Sequence, residues 1–379
     1  MNVSMRLYEY TSKDLLSKFG IPTPKGILTS SSSTSFEHLQ FPVVIKAQVL
    51  VGGRGKAGGI KVAASPSDAT VIINKMIGSE IEGIKVQKVL VEEKAEVVQE
   101  LYLSSYMDRA RSTTVLMASE YGGVEIEKTP YRRIFNVEVN PLIGTQDYMI
   151  HRLLSGINVN QGIRTSIAMV AQNLYRVFND CDAELVEINP LAVTSQGQIM
   201  ALDAKILIDD NAIFRHPDFQ NLDRGMTEFE KKTRELGVNG VEINGEIGIV
   251  TSGAGCLMAT MDNIRSFGGD LGPTIDLGGS VFNTDTIDNV ILGCVSELKK
   301  LQAKVILFNA YFQLARSDFV ARAIASSFKG TDDIPIVVRL KGRADHEVRR
   351  ILSGCSNVFL AGSFDEACEK AVELVKGSD

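Results

Sequence analysis

Two short stretches carry residues whose types and spacing can do chemistry. The first is GGRGKAGG (52–59), a glycine-dense loop with Arg54 and Lys56 at its centre. Its GRGKAG portion fits the spacing GxGxxG, but the dinucleotide reading of that pattern needs a helix next, and GIKVAA (59–64) reads as a strand. The phosphate-loop reading also fails, because Leu50 stands where the first glycine is needed and Ala57 follows Lys56. What remains is a glycine hairpin between antiparallel strands. Such a loop can close over a polyphosphate, with bare N–H groups approaching and two cations neutralising charge. The plainer alternative is a mobile hairpin tip with solubilising charges. The second stretch is ELVEINPLAVTSQGQIMALDAKILID (184–209), a hairpin turning around Gln196. Glu187 and Asn189 are two residues apart and share one face. Asn189 and Asp203 are equidistant from Gln196, so plain pairing sets them opposite each other. A carboxylate and an amide oxygen on one face are hard ligands suited to Mg²⁺; otherwise they are the polar side of a half-buried hairpin.

The surrounding elements fall into two rhythms. Residues 245–379 alternate apolar strands and amphipathic helices. The strands are 245–253, 273–279, 303–312, 334–342 and 357–362, and the helices begin at 254, 285, 317, 345 and 363. Asn283 or Thr284 is the expected cap of the second helix, and Ser363 with Glu366 forms a capping box for the last. Five βα units predict a doubly wound parallel sheet. The N-terminal part reads as a helix over 8–19 and strands over 41–51, 59–64 and 86–108. A helix near 67–77, antiparallel strands over 112–120 and 122–128, and a helical stretch over 146–179 complete it. The charged segment 215–239 reads as the linker. The expected domains are therefore 5–238 and 239–379.

Composition narrows the class. The 379 residues carry 40 Lys and Arg against 46 Asp and Glu, a net charge of −6, which argues against a nucleic-acid or anionic-membrane partner. The five cysteines are odd in number and none pairs at CxxC spacing. They read as free thiols in a reducing cytoplasm, and all but Cys181 lie in apolar segments. The opening residues have no signal-peptide core, and no apolar run reaches membrane-spanning length. His38, His151, His216 and His346 are scattered, with no metal-ligand spacing.

Taken together, the glycine hairpin, the ELY segment (100–102), the EINPL hairpin and the C-terminal βα units resemble the succinyl-CoA synthetase β-subunit family. The resemblance covers the chain from YEYTSKDLL (8–16) onward. It includes KAQVLVGGRGKAGGIKV, VEINPLAV, ALDAK, NAIFRHPD, TSGAGCLMATMD and IPIVVRLKG. The family's blocks begin shortly before LYEY, which points to Met5 as the start. The resemblance implies an α/β chain with an N-terminal ATP-grasp domain followed by a C-terminal flavodoxin-like domain. The implied activity is that of an acid–CoA ligase using ATP/ADP or GTP/GDP, Mg²⁺ and CoA, working with an α subunit that carries the phosphohistidine and most of the CoA site. By the same resemblance, Lys46 reaches the nucleotide phosphates, and Gly53, Arg54 and Gly55 cover them. Glu92, Ala95 and Glu100 lie in the nucleotide pocket, Asn189 and Asp203 hold magnesium, and Glu187 meets the visiting phosphohistidine.

The acyl side departs from the family. Ser252 stands where the family has asparagine, and Ser280 replaces the third glycine of a DxGGG run. Phe312, Gln313 and Leu314 replace a GGI-type turn, so the altered acyl-site candidates are Ser252, Gln313, Leu314 and Ala315. Succinate is the first expectation for the small carboxylic acid. Malate or a short-chain acid is the alternative, and a nucleotide-binding scaffold subunit without turnover is the alternative from another class.

Overall fold

The computed structural model describes residues 4–282, 285–327 and 334–377. The chain divides into two compact units, one ending at Gly225 and the other starting at Met226.

The first unit is built on two antiparallel sheets. The smaller has the order Gly26–Thr29, Val89–Glu93, Val43–Ala47, Ile60–Ala63. The helix Pro66–Met76 belongs with this sheet through Ala69, Ile73 and Met76. Ser65 caps that helix by accepting the Asp68 N–H, and Pro66 takes the first helical position, where its missing donor costs nothing. The larger sheet runs Met5–Arg6, Ala204–Ile208, Ala183–Thr194, Val97–Asp108, Thr113–Ser119, Phe135–Val139, and Ile199–Ala201 completes the hairpin. Leu16 of the helix Glu9–Lys18 and Leu174 of the helix Gln161–Asp180 share its core with Leu103, Val186 and Ile206.

Several expected elements are cut differently. The run 86–108 is two strands, Val89–Glu93 in the small sheet and Val97–Asp108 in the large one. Residues 122–128 are not a strand: Gly123–Lys128 is a 3₁₀ segment, and Phe135–Val139 pairs with Thr113–Ser119 instead. The glycines explain it. A Cβ on Gly122 would meet the Leu101 backbone at 2.5 Å, and Gly123 has φ +64. The stretch 146–179 is two helices, Asp147–Leu154 and Gln161–Asp180, with Asn160 capping the second. Between them Gly156 faces the Phe135 ring so closely that an added Cβ would stand 2.0 Å from it.

In the second unit the five parallel strands Ile247–Thr251, Leu271–Asp276, Val305–Phe312, Ile336–Gly342 and Val358–Leu360 adopt the order 2-1-3-4-5 of a flavodoxin-like doubly wound sheet, and Asn239–Val241 adds an antiparallel edge. The Ser363–Glu366 capping box forms as read. Asn283 and Thr284, the expected cap of the helix Ile287–Lys300, lie outside the described residues.

The expected boundary at 238/239 and the observed break at 225/226 differ by one helix, Glu228–Glu235. Thr227 and Glu230 form a capping box there, and buried Phe229 and Thr233 anchor the helix in the second unit. The dense charges of 215–239 concealed this signal. All five cysteines are free. Cys181 is buried despite its polar neighbours, whereas Cys256 and Cys355 are half-buried. Among the described residues no helix is long and apolar enough to cross a membrane.

Candidate functional site

A cavity of about 620 Å³ opens within the first unit, and all ten N-terminal candidates line it: Lys46, Gly53, Arg54, Gly55, Glu92, Ala95, Glu100, Glu187, Asn189 and Asp203. The sheets bring them together. Lys46 comes from Val43–Ala47, and the glycine loop lies between that strand and its partner Ile60–Ala63. Glu92 is the penultimate residue of the adjacent strand, Ala95 sits in the passage between sheets, and Glu100 lies in the first third of the long strand of the larger sheet. Pro24, Val44, Ala95 and Val97 are among the apolar residues of the lining. Arg6 and Lys205 add two cations that sequence reasoning did not single out.

The hairpin geometry follows the count. Glu187 pairs with Lys205, Ile188 with Ala204 and Leu191 with Ala201, so one register holds on both sides of Pro190. The Asn189 N–H donates to the Asp203 carbonyl at 3.2 Å, and the Leu202 N–H donates to Pro190 at 3.0 Å. Asn189 and Asp203 therefore stand opposite each other. Their side-chain oxygens already have protein partners: the Gly123 N–H reaches Asn189 Oδ1 at 2.6 Å, and Arg54 Nη2 lies 3.0 Å from each oxygen of Asp203.

A buried ion network surrounds Lys46 and Arg54. Lys46 Nζ lies 2.9 Å from Glu9 Oε1 and 2.9 Å from Glu92 Oε2, and it also bonds the Leu202 carbonyl. Lys13, one turn after Glu9, lies 3.0 Å from Glu9 Oε1 and donates to both oxygens of Glu92 at 2.6 and 2.7 Å. Arg54 Nη1 stands 2.8 Å from Glu9 Oε2. Burial disfavours each of these charges, and neighbours decide the balance. For Lys46 the carboxylates of Glu9, Glu92 and Asp203 overcome burial and raise its pKa. Burial would raise the Glu9 carboxyl, but Lys46, Lys13 and Arg54 pull it below its usual range. For Lys13 burial and the Lys46 charge prevail and lower its pKa. Breaking such a buried pair by removing one partner costs about 3–5 kcal/mol.

Glu187 behaves differently. Burial pushes its carboxyl up, the charge of Asp203 adds to this, and Lys205 and a hydrogen bond from Tyr102 oppose it. Tyr102 itself is pushed up to about 12 by burial and the Glu187 charge. Sequence reasoning missed Glu9, Lys13 and Tyr102. The Glu9–Lys13 spacing of four on one helix was the available signal for two of them.

The remaining candidates, Ser252, Gln313, Leu314 and Ala315, belong to the second unit, following adjacent parallel strands. Phe312 is 2% exposed and joins the core that includes Val320 and Leu340. Gln313 and Leu314 are exposed, and Ala315 is buried. Arg316 is bonded to Asp318 through Nε at 2.9 Å and Nη2 at 3.1 Å. None of the four histidines lines the cavity.

Comparison with known proteins matches this arrangement. Residues 6–193 fit the model of the ATP-grasp domain and residues 249–371 that of the CoA-ligase family. The succinate–CoA ligase (ADP-forming) subunit beta of Chloroflexus aurantiacus is 39% identical over 383 residues, spanning 98% of this chain and 100% of the relative. The protein of the same name from Pyrobaculum aerophilum is 39% identical over 387 residues with the same coverage. Among solved structures, ATP citrate lyase from Methanothrix soehngenii, in complex with citrate and coenzyme A, superposes with a TM-score of 0.75 at 18% identity, covering 98% of this chain and 100% of that one, which is a likeness of fold.

Proposed function

Because the chain belongs to the succinate–CoA ligase β-subunit family, we propose that it is the β subunit of a nucleoside-diphosphate-forming acid–CoA ligase, with nucleotide in the first unit and succinate as its acid. The observation that carries this reading is the convergence of all ten candidate residues on one cavity. Pro24, Val44, Ala95 and Val97 offer a surface for the base, Glu100 a carboxylate for the ribose, and Lys46 and Arg54 cations for the phosphates. Gly53 takes φ +73, and a Cβ on it would meet nothing within 4 Å, so its backbone is free to approach an anion.

The donor set fits magnesium. Among the described residues no cluster of three or more His, Cys, Asp or Glu side chains is arranged to hold a metal. Asn189 and Asp203 supply only two hard oxygens, which suits an ion that keeps waters and phosphate oxygens around it. Bound there, the ion neutralises phosphate charge. The chain's own residues orient the nucleotide and screen its negative charge, the dominant contributions in phosphoryl transfer.

With no histidine in the cavity, the phosphoryl acceptor is a histidine of a partner α subunit, and Glu187, held by Tyr102 and opposed by Lys205, is the carboxylate that orients it. The phosphoryl group then passes to the carboxylic acid, and CoA displaces phosphate to form the acyl-CoA. Ser252, and Phe312 with exposed Gln313 at a turn where the family carries glycines, are the observations favouring a different acid, such as malate or a short-chain acid.

The test pairs the full chain with its α subunit and radiolabelled ATP. Label on the α histidine that succinate and CoA discharge supports a succinate ligase, and label discharged by another acid moves the substrate. No labelling of a competent α subunit overturns turnover and leaves a scaffold. Lys46→Ala should weaken Mg-nucleotide binding by about 1.5–3 kcal/mol through loss of charge-assisted contacts.

A further inference from the structure

Lys13 meets the same two carboxylates that Lys46 meets but does not itself line the cavity. It is 4% exposed and absent from the cavity lining, whereas Glu9, Lys46 and Glu92 all line it. The four groups form a closed square of alternating sign. Lys46 touches Glu9 and Glu92 at 2.9 Å each, and Lys13 touches the same two residues at 3.0 and 2.6 Å. Without Lys13, Glu9 would keep Lys46 and Arg54, but Glu92 would be left with Lys46 alone, and that ammonium is the one that lines the cavity. Lys46 would then be drawn onto Glu9 and Glu92, and its field toward an incoming phosphate would be cancelled by their excess negative charge.

We propose that Lys13 is a positioning residue for phosphate recognition: it shares the charge of Glu9 and Glu92, so that Lys46 retains a net positive charge and a fixed direction for the distal phosphates. This role rests on the nucleotide reading of the cavity. Lys13 touches no ligand and acts only through the two carboxylates. A lysine that merely held the fold would affect every part of a nucleotide equally. A charge-balancing lysine affects the distal phosphate selectively, because the deficit is felt at Lys46.

The test compares Mg-ADP with AMP, by calorimetry on the full-length chain. In Lys13→Met the affinity for Mg-ADP should fall roughly 10- to 100-fold while that for AMP changes less than about threefold, and Lys13→Arg should stay near wild type for both. Lys13→Gln, neutral but able to hydrogen-bond, gives the same comparison if Lys13→Met does not fold. Equal losses on Mg-ADP and AMP, or no loss on either, overturn the positioning role while leaving the nucleotide site standing. Failure of the wild-type chain to bind Mg-ADP, AMP or the guanine counterparts overturns the nucleotide reading and this role with it.

Discussion

Arg54 meets Asp203 through a single nitrogen, Nη2, which stands 3.0 Å from both carboxylate oxygens. Its other terminal nitrogen reaches Glu9 Oε2 at 2.8 Å and the Ala47 carbonyl at 3.1 Å. A loop cation thus neutralises the carboxylate proposed to hold metal, and a metal ion at Asp203 must compete with it.

Loop attachment follows from that pair. Asp203→Asn removes the charge that holds Arg54 to the hairpin, and loss of one charged hydrogen-bond pair corresponds to roughly tenfold more frequent local opening. Tryptic cleavage within the glycine loop of the ligand-free chain, followed by mass spectrometry, should accelerate to that degree. Equal cleavage rates in the two proteins would mean that Arg54 does not tether the loop.

Glu187 should titrate above the ordinary glutamate range, since burial outweighs the help of Lys205 and Tyr102. A raised folded-state pKa means that the native chain holds a proton that the unfolded chain has released. Stability from this group therefore falls as pH rises from the ordinary glutamate value through the raised one. Carbon-13 NMR of the carboxyl reads the shift, and denaturant unfolding across the acid range should show a shallower fall in Glu187→Gln than in wild type.

Restoring the family's glycines should have unequal effects on stability at the two positions. Phe312→Gly empties a buried ring and should cost about 3–5 kcal/mol in denaturant unfolding. Gln313→Gly lies on an exposed turn and should change stability by less than about 0.5 kcal/mol. It should nevertheless alter the relative rates with which different acids discharge the phosphorylated α subunit. Unchanged acid preference would separate Gln313 from substrate choice.

Thiol reactivity should sort by burial. Cys181, Cys294 and Cys368 are buried, and burial pushes the Cys294 thiol up to about 12. Under native conditions a thiol-specific disulfide reagent should label Cys256 and Cys355 first, and all five should react in denaturant.

Much of this architecture was legible because its signals are local. Alternating strands and helices announced the second unit, and a count of residues about Gln196 set Asn189 opposite Asp203. What escaped notice depends on tertiary approach. Nothing near Gly122 in sequence says that the Leu101 backbone passes within 2.5 Å of where its side chain would begin. Glu9 and Lys13 stand four apart on one helix, and nothing in that spacing says that the fold buries them against Lys46 and Glu92. The helix Glu228–Glu235 read as a charged linker because its apolar contacts are only Phe229 and a few neighbours.

The facing of Asn189 and Asp203 is fixed by arithmetic along the hairpin, and this constrains how the chain can change length over descent. A residue inserted or deleted within Ile199–Ala201 would turn Asp203 over, toward the side where Ile188 and Ala204 are buried. A change of two would restore the face but displace the carboxylate by two positions along the ladder. Length variants that keep the site are therefore admissible at the tip, 195–198, where the strands have already parted, and selection should leave the arms uniform in length even where their residues drift.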